Sequence, residues 1–236
     1  MYLEIKKMSK KIKKFIRFII KSILLAIILI NSYEIGYKQY QYISSDITYT
    51  KIRKEKNQAP SVPGYLYTKE YDWIQVSESK IDYPLMKAHD NNYYLNHNYK
   101  DEYDVAGSIY YDSSDEPYNG NLTVIYGHAM RNGSMFKSLH NFRDDHQRFL
   151  KSELTIYTKE RKTVYKPIGY RIYSHTDLSY RQIDTMTPNE IRNYLTQNCN
   201  YFNGANITED THIMGLVTCE YSITEGRIIV FYIEDK

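Results

Sequence analysis

A cysteine and an arginine near the C-terminus have the spacing of a reactive site. Cys219 ends the largely apolar run Met214–Thr218, and Arg227 begins a second apolar run that continues to Ile233. If the two runs pair as a hairpin in symmetric register, the two residues face each other with Cβ atoms about 4.5–5.5 Å apart. A fixed positive charge beside a thiol favours the thiolate. The pattern therefore predicts a reactive cysteine at the end of a sheet.

A cysteine nucleophile also needs an imidazole to share its proton, and that imidazole can lie far away in the sequence. Of the seven histidines, His128 has the most suitable context, because it follows Gly127 and the alternating run 122–126. Such a position projects a side chain from a sheet end. His140 and His146 fall in a polar helical stretch and are expected to be solvated. No Cys/His spacing that includes Cys219 fits zinc, so we expect neither a metal nor a cofactor.

The elements that position these residues are mostly strands. Alternating or apolar runs predict strands over 73–76, 122–126, 154–157, 163–173, 214–221 and 227–233. Helical segments are predicted around 91–95, 135–150 and 187–202. Short, irregular connections between consecutive strands favour a mixed, largely antiparallel sheet that closes into a barrel.

The second cysteine is predicted to be structural. Thr187, Pro188 and Glu190 form a capping box with the preferred proline at the start of the third predicted helix. Cys199 falls on the apolar face of that helix. Only two cysteines occur in 236 residues, so this interpretation leaves Cys219 as a free thiol.

The N-terminus has the composition of a membrane anchor. Residues 1–30 hold eight of the 31 Lys and Arg residues and one of the 28 acidic residues, a net charge of +7, so the remainder carries −4. The mildly acidic body argues against a nucleic-acid partner. The 19 residues from Phe15 to Tyr33 are long and apolar enough to cross a bilayer. Since no small-x-small cleavage site follows, we expect an uncleaved signal anchor rather than a buried soluble helix.

These patterns divide the chain into four parts. Residues 1–14 are predicted to be a cytoplasmic basic tail, because positive charge stays inside, and 15–33 the transmembrane anchor. Residues 34–64 are predicted to be a helix that packs against the body, with weak periodicity at Tyr40, Ile43 and Ile47, followed by a Pro- and Gly-containing linker. Residues 65–236 form the extracellular body.

The blocks of the body resemble the class B sortases when they are taken together. Tyr126-Gly127-His128, Met135–Leu139, and Leu216–Cys219 with Arg227 carry the resemblance, along with the segments 90–98 and 106–112. It covers roughly residues 65–233, with the blocks in the family's order and spacing. It implies a mainly β fold with helices: a closed eight-stranded β-barrel with N-terminal helices, preceded here by one transmembrane helix.

The resemblance also implies a function. It suggests a cysteine transpeptidase of the Gram-positive cell surface, with Cys219 as nucleophile, His128 as general acid/base, and Arg227 as the oxyanion or substrate-positioning group. The substrate would be a C-terminal sorting signal of the Asn-Pro-x-Thr-x type on a surface protein, cleaved after Thr. The acceptor would be a peptidoglycan cross-bridge amine or a pilin lysine, and class B favours the cross-bridge. By family position, five groove residues are implied: Asn91, Leu95, Tyr180, Thr218 and Glu220.

One position departs from the family pattern. Many sortases have a threonine before the leucine of the cysteine strand, where this chain has Gly215. A glycine inside a strand often marks a bulge or a close backbone approach, so we expect an altered groove beside Cys219.

Two alternatives use the same residues. One is a surface cysteine enzyme of another kind, a hydrolytic peptidase or an L,D-transpeptidase. The order His128…Cys219 is opposite to that of papain-like enzymes, and the Ser-His-Gly-Cys block of L,D-transpeptidases is absent from the sequence. The other is a non-catalytic anchored domain, in which Cys219 is buried and Arg227 pairs with a carboxylate.

Overall fold

The computed structural model describes residues 10–59 and 61–235. Most of the predicted cytoplasmic tail, residues 1–9, lies outside the described residues. The chain clusters into two compact units, and the second begins at Ser45. The first described element is the long helix α1 (Lys10–Gln58), which contains the whole predicted anchor.

The N-terminal part of α1 is long and apolar enough to cross a membrane, judged by length and composition. Its most apolar window has a mean hydropathy of 2.0, and none of that window is buried. Leu24, Leu25 and Ile28 are each more than half exposed. A core helix of a soluble protein would bury such side chains, so their exposure is consistent with an anchor.

The C-terminal part of α1 packs on the body through a face that the sequence pattern did not identify. Ser45, Tyr49, Ile52 and Lys56 are buried, at helical spacings of four, three and four. The predicted contacts Tyr40, Ile43 and Ile47 are instead more than half exposed. The buried face includes polar groups because each finds a partner: the Tyr49 hydroxyl donates to the carbonyl of Gly107, and the Lys56 ammonium lies 2.6 Å from Asp82.

Eight strands form a closed barrel, as the resemblance implied. The strands of the described chain are β1 (Asp72–Val76), β2 (Asp82–Lys87), β3 (Ile109–Tyr111), β4 (Leu122–Tyr126), β5 (Leu154–Tyr157), β6 (Lys162–Ser174), β7 (Tyr201–Phe202), β8 (Ile213–Glu220) and β9 (Gly226–Glu234). Their order is β5-β1-β2-β3-β4-β8-β9-β6, and β6 pairs back onto β5. The two-residue β7 adds to β6 outside this ring.

The long strand β6 closes the barrel because it serves two neighbours. Its first residues pair with β5, and the stretch from Tyr165 onward pairs with β9. The register with β9 shifts between Pro167 and Gly169, and such an irregularity lets a strand bend between its partners.

The sequence pattern found six of these strands and missed β2, β3 and β7. Pro84 interrupts β2, and a proline inside a run argues against a central strand. It is tolerated because β2 meets β3 only from Leu85 onward. The other two missed strands have three and two residues, too few to show a period.

The helices are shorter than predicted. A 3-10 turn over Tyr93–Leu95 stands where the first helix was expected. The predicted helix 135–150 is a 3-10 turn (Phe136–Leu139) followed by α3 (His140–Asp144) and α4 (His146–Lys151). After the short α2 (Val62–Leu66), the other helix of the body is α5 (Pro188–Asn198), which has the predicted capping box at Thr187.

α5 packs against a hydrophobic cluster on the outer face of β4, β8 and β9. Val217, Ile229 and Phe231 from the strands pack there with Ile191 and Leu195 from α5. Since side chains alternate along a strand, the residues between them point into the barrel. This assignment of faces decides where the candidate site lies.

Gly215 lies on the outer face and makes no bulge. Its pairing is uninterrupted, with Val124 on one side and Phe231 on the other. A Cβ at this position would lie 2.9 Å from Cδ1 of Ile229. Of the two possibilities, a bulge is excluded by the continuous register. The close approach exists, but it is made by a side chain packed over the strand and not by a backbone.

Candidate active site

Cys219 and Arg227 face each other at the end of the β8–β9 hairpin, as predicted. The antiparallel register pairs Cys219 with Arg227 and Val217 with Ile229. Since Val217 and Ile229 belong to the outer cluster, alternation puts Cys219 and Arg227 on that same outer face. Both are partly exposed, so the thiol and the guanidinium are accessible from solvent.

His128 extends the same row from the neighbouring strand. β4 runs parallel to β8, with Tyr126 paired to Val217, and the Gly127 amide donates to the Val217 carbonyl at 3.2 Å. His128 lies two residues beyond the end of β4, and extending the register by the same two residues puts it beside Cys219, on the face that carries Tyr126. His128 is also partly exposed. Three adjacent strand ends thus bring an imidazole, a thiol and a guanidinium together.

A backbone carbonyl orients the His128 ring. Its Nε2 lies 2.8 Å from the carbonyl oxygen of Leu95. Because that oxygen accepts only, Nε2 carries a proton and Nδ1 of the neutral ring is left as an acceptor. The turn Tyr93–Leu95 therefore fixes which ring nitrogen can exchange a proton with the thiol.

The Arg227 guanidinium forms no ion pair with the described residues of the chain. Its Nη1 donates to the carbonyl of Gly226 at 2.9 Å. Among residues 10–59 and 61–235, no carboxylate lies within ion-pair distance of it. The non-catalytic alternative expected a carboxylate partner for Arg227, and the described chain offers none. The remaining N–H groups can bind a developing negative charge.

His140 was expected to be solvated and is instead buried beneath the cysteine. It is 7% exposed, and its Nε2 lies 2.8 Å from the carbonyl oxygen of Cys219. Its Nδ1 lies 3.1 Å from the Lys137 ammonium. A signal for this burial exists in the sequence. His140 follows Phe136 and Leu139 at spacings of four and one, which put all three on one side of a helical turn.

Glu220 connects this buried histidine to the hairpin turn. Its Oε1 accepts from the amides of Tyr221 at 2.9 Å and Ser222 at 2.8 Å, and from Arg143 at 2.7 Å. Its Oε2 lies 3.6 Å from Nδ1 of His140. The carboxylate thereby fixes the chain that leaves the cysteine strand.

The protonation of the two buried groups follows from these contacts. Burial lowers the pKa of His140, and the Lys137 ammonium lowers it further, against opposing effects of the Cys219 carbonyl and Glu220. Burial raises the pKa of Glu220, but hydrogen bonds from Ser222 and the charge of Arg143 outweigh it, so the pKa lies below its ordinary value. At neutral pH the site contains a neutral His140 and an ionised Glu220.

The five implied groove residues divide by accessibility. Leu95 is 41% exposed, and Asn91 is partly exposed, with its Oδ1 accepting from the Ser113 amide at 2.8 Å. Tyr180, Thr218 and Glu220 are each at most 3% exposed. Their side chains therefore offer no surface to a bound peptide in this arrangement. The five residues do not form a single set of direct peptide contacts.

Two of the buried groove residues support the triad strands. The Thr218 hydroxyl donates to the carbonyl of Gly127 at 2.7 Å, which ties the cysteine strand to the residue before His128. The Tyr180 hydroxyl lies 3.2 Å from that of Tyr126. By strand alternation the Thr218 side chain lies on the face opposite Cys219, whereas the Tyr126–Tyr180 contact lies on the outer face, two residues before His128.

Cys199 has no part in this site. It caps α5 and packs against the outer cluster, and burial raises its thiol pKa to about 12. Both cysteines are free thiols. Within the described residues, no group of three or more His, Cys, Asp or Glu side chains could hold a metal ion.

The chain and its barrel are similar to known proteins. A family model described as the Sortase domain matches residues 74–232. Sortase B of Listeria monocytogenes is 30% identical over 241 residues, which cover 93% of this chain and 97% of that protein. The structure of Clostridium perfringens sortase B is 26% identical with a TM-score of 0.64, covering 77% of this chain and 100% of that one. A Streptococcus pyogenes class B sortase involved in pilus biogenesis is also 26% identical, with a TM-score of 0.66, covering 76% of this chain and 100% of that one.

The chain therefore belongs to the sortase family, whose members are cysteine transpeptidases. Its relatives and its structural neighbours are class B sortases, and this chain is a class B sortase as well.

Proposed function

We propose that this chain is a membrane-anchored sortase that cleaves an Asn-Pro-x-Thr-x sorting signal after Thr and transfers the protein to a peptidoglycan cross-bridge amine. The observation that carries the proposal is the row of Arg227, Cys219 and His128 on one face of three adjacent strand ends. In this proposal Cys219 is the nucleophile, His128 the general acid/base and Arg227 the oxyanion or substrate-positioning group. The reaction needs no metal and no cofactor.

In the first half-reaction, the Cys219 thiol passes its proton to Nδ1 of His128, and the resulting thiolate attacks the threonine carbonyl of the signal. Negative charge develops on the carbonyl oxygen, where Arg227 or the backbone N–H of Glu220 stabilises it. The C–N bond then breaks, and the departing amine takes a proton from His128. The product is a thioester between Cys219 and the threonine. The bond from Nε2 of His128 to Leu95 supports this role, because it leaves the other nitrogen free to exchange a proton.

In the second half-reaction, an acceptor amine attacks the thioester. His128 removes a proton from the amine, the C–S bond breaks, and Cys219 leaves as the thiolate. An amide now joins the threonine to the acceptor. A cross-bridge amine is the first acceptor to test. A pilin lysine is the second, because one class B relative takes part in pilus biogenesis.

The proposed location places the reaction outside the cytoplasm. None of the most apolar window of α1 is buried, and the net charge of +7 over residues 1–30 favours an N-terminus inside the cell. The barrel would then be extracellular, where sorting signals and peptidoglycan precursors meet.

The groove residues are proposed to act at two levels. Asn91 and Leu95, which reach the surface, line the path of the signal. Tyr180, Thr218 and Glu220 shape that path from beneath, since their side chains are buried. This division predicts that peptide contacts to the second group run through backbone atoms.

The test is a screen of quenched Asn-Pro-x-Thr-x peptides with the full chain in detergent micelles, with and without an amine acceptor. We expect cleavage after Thr and incorporation of the amine into the product. Cleavage without incorporation would favour a hydrolytic cysteine peptidase. An inert protein with all peptides would favour the non-catalytic alternative.

A further inference from the structure

The carbonyl of Cys219 points toward a position that the neighbouring strand β4 does not reach. Val217 turns its carbonyl toward β4, because it accepts from the Gly127 amide. Carbonyls two residues apart on a strand point to the same side, so that of Cys219 also points toward β4. β4, however, ends at Tyr126. The backbone of the nucleophile therefore extends beyond the support of its parallel neighbour.

His140 occupies the position of the missing strand. Its Nε2–H donates to the Cys219 carbonyl at 2.8 Å, from the first residue of α3. A buried carbonyl without a hydrogen-bond donor is unfavourable. The His140 side chain supplies that donor to Cys219, the residue whose sulfur must be held in position. A misplacement of about 1 Å at a reacting atom can lower a rate about 100-fold.

The other nitrogen of His140 faces two competing partners. Lys137 Nζ lies 3.1 Å from Nδ1 and donates to it while the ring is neutral. Glu220 Oε2 lies 3.6 Å from the same nitrogen and is buried without a hydrogen bond among the described residues. A proton on Nδ1 would repel the ammonium and supply the donor that this carboxylate oxygen lacks.

We propose that His140 is a positioning residue for the nucleophile, which fixes the Cys219 carbonyl through Nε2 and exchanges Lys137 for Glu220 at Nδ1 when the ring takes a proton. This role rests on the proposed function of Cys219. His140 touches neither substrate nor reacting atoms, and it acts through the backbone of the cysteine strand.

The exchange of partners at Nδ1 of His140 also affects the segment that holds His128. Lys137 Nζ lies 5.0 Å from the ring centre of Tyr221, and the Tyr221 hydroxyl donates to the carbonyl of Ala129 at 3.1 Å. Ala129 directly follows His128. Release of Lys137 from His140 therefore alters a chain of contacts that connects the hairpin turn to the catalytic histidine segment.

The charges around His140 determine when the exchange occurs. They come from its own segment and from the end of the cysteine strand: Lys137, Arg143, Asp144, Glu220 and the ring of Tyr221. Burial lowers the pKa of His140, so the neutral form with Lys137 prevails at neutral pH. The exchange occurs at a more acidic pH than the titration of an ordinary histidine.

Three variants of the full chain separate the functions of the ring. His140→Gln keeps a donor for the Cys219 carbonyl and cannot titrate. His140→Phe keeps the ring volume and loses the donor. His146→Gln is the matched control, because His146 is exposed and its ring contacts are Phe149 and Tyr201. The readouts are Cys219 alkylation by iodoacetamide, with Cys199 as internal reference, and kcat and KM for the best peptide of the screen.

We expect His140→Phe to lower both Cys219 alkylation and kcat about fivefold with KM unchanged, the effect of one lost neutral hydrogen bond. His140→Gln should restore both to near the wild-type value at neutral pH. On acidification to about pH 5, the pH profile of the alkylation rate should differ between wild type and His140→Gln, because only wild type carries the titrating ring. His146→Gln should follow wild type throughout.

Two results would overturn the proposal: wild-type alkylation and kcat in His140→Phe, or identical pH profiles in wild type and His140→Gln. If His140→Phe fails to fold, the pH profiles of wild type and His140→Gln still test the proposal. The alkylation readout needs no substrate. It therefore separates this proposal from a failure of the proposed transpeptidation, which would appear as cleavage that survives in Cys219→Ala.

Discussion

The two sides of the Cys219 strand end are built differently. On the outer face, His128, Cys219 and Arg227 are partly exposed, and Arg227 has no carboxylate partner among the described residues. Beyond the end of β4, His140 and Glu220 are buried and bonded to backbone, lysine and arginine. The exposed side keeps its polar groups available for a reaction, while the buried side uses them to hold the chain. Substitutions on the first side should change activity, and those on the second should also change stability.

The largest effect is expected from the nucleophile and the base. Cys219→Ala and His128→Ala should each lower peptide cleavage by about 1,000-fold or more, because residues that act as a unit fail together. The thermal midpoint should change little, since neither side chain is buried. Wild-type activity in either variant would contradict the assignment of the exposed side.

Arg227 should show the next largest effect. Arg227→Ala is expected to reduce kcat about 100-fold, the usual consequence of losing one oxyanion donor. Arg227→Lys should recover little of this loss, because an ammonium cannot reproduce the planar fork of donors. The measurement is kcat and KM with one peptide. Full recovery by lysine would mean that charge alone matters.

Gly215→Ala tests the packing of the strand that carries Cys219. The added Cβ would lie 2.9 Å from Cδ1 of Ile229, and overpacking of this kind destabilises a core by about 1–3 kcal/mol. The free energy of unfolding, measured by urea denaturation, should fall accordingly. Adding Ile229→Val removes the clashing carbon and should recover most of the loss relative to Ile229→Val alone. A neutral Gly215→Ala would show that the side chain moves freely.

Glu220→Gln should have the smallest effect and a distinctive pH dependence. Hydrogen bonds to a charged group contribute about 1.5–3 kcal/mol each, and the amide oxygen retains part of this, so we expect a net loss of about 1 kcal/mol at neutral pH. The folded-state pKa of Glu220 is lowered. Its contribution is therefore fully present above the unfolded pKa and is lost as pH falls through the folded pKa.

The stability difference between wild type and Glu220→Gln should thus shrink on acidification. Thermal unfolding at several pH values measures it. Glu153→Gln is the matched control, because Glu153 pairs with Lys166 at the surface and such pairs contribute little. A stability difference that stays constant with pH would show that protonation of Glu220 does not change the stability of the fold.

The sequence predicted the exposed side well, for a local reason. Cys219 and Arg227 lie eight residues apart on one hairpin, so their facing register follows from symmetry and alternation alone. His128 follows a strand with clear alternation, and the order of blocks connected it to Cys219. Strands with four or more residues and a clean pattern, such as β4 and β5, were predicted residue for residue.

The buried side could not be predicted, because its partners are distant or weakly patterned. His140 lies 79 positions from the carbonyl that it binds. Its spacing from Phe136 and Leu139 indicates burial, but no pattern in the sequence indicates the partner that it binds there. The face of α1 was misassigned for a similar reason. Lys56 and Ser45 are buried through partners in other segments, which a hydrophobic period cannot reveal.

The central claim is that Cys219 carries the acyl group between signal and acceptor. The most direct measurement is the intact mass of the full chain after brief mixing with an Asn-Pro-x-Thr-x peptide, followed by mapping of the modified residue. We predict a thioester adduct on Cys219 that an added amine discharges into a transfer product. Cleavage without any adduct on Cys219, or an adduct on another residue, would contradict the account.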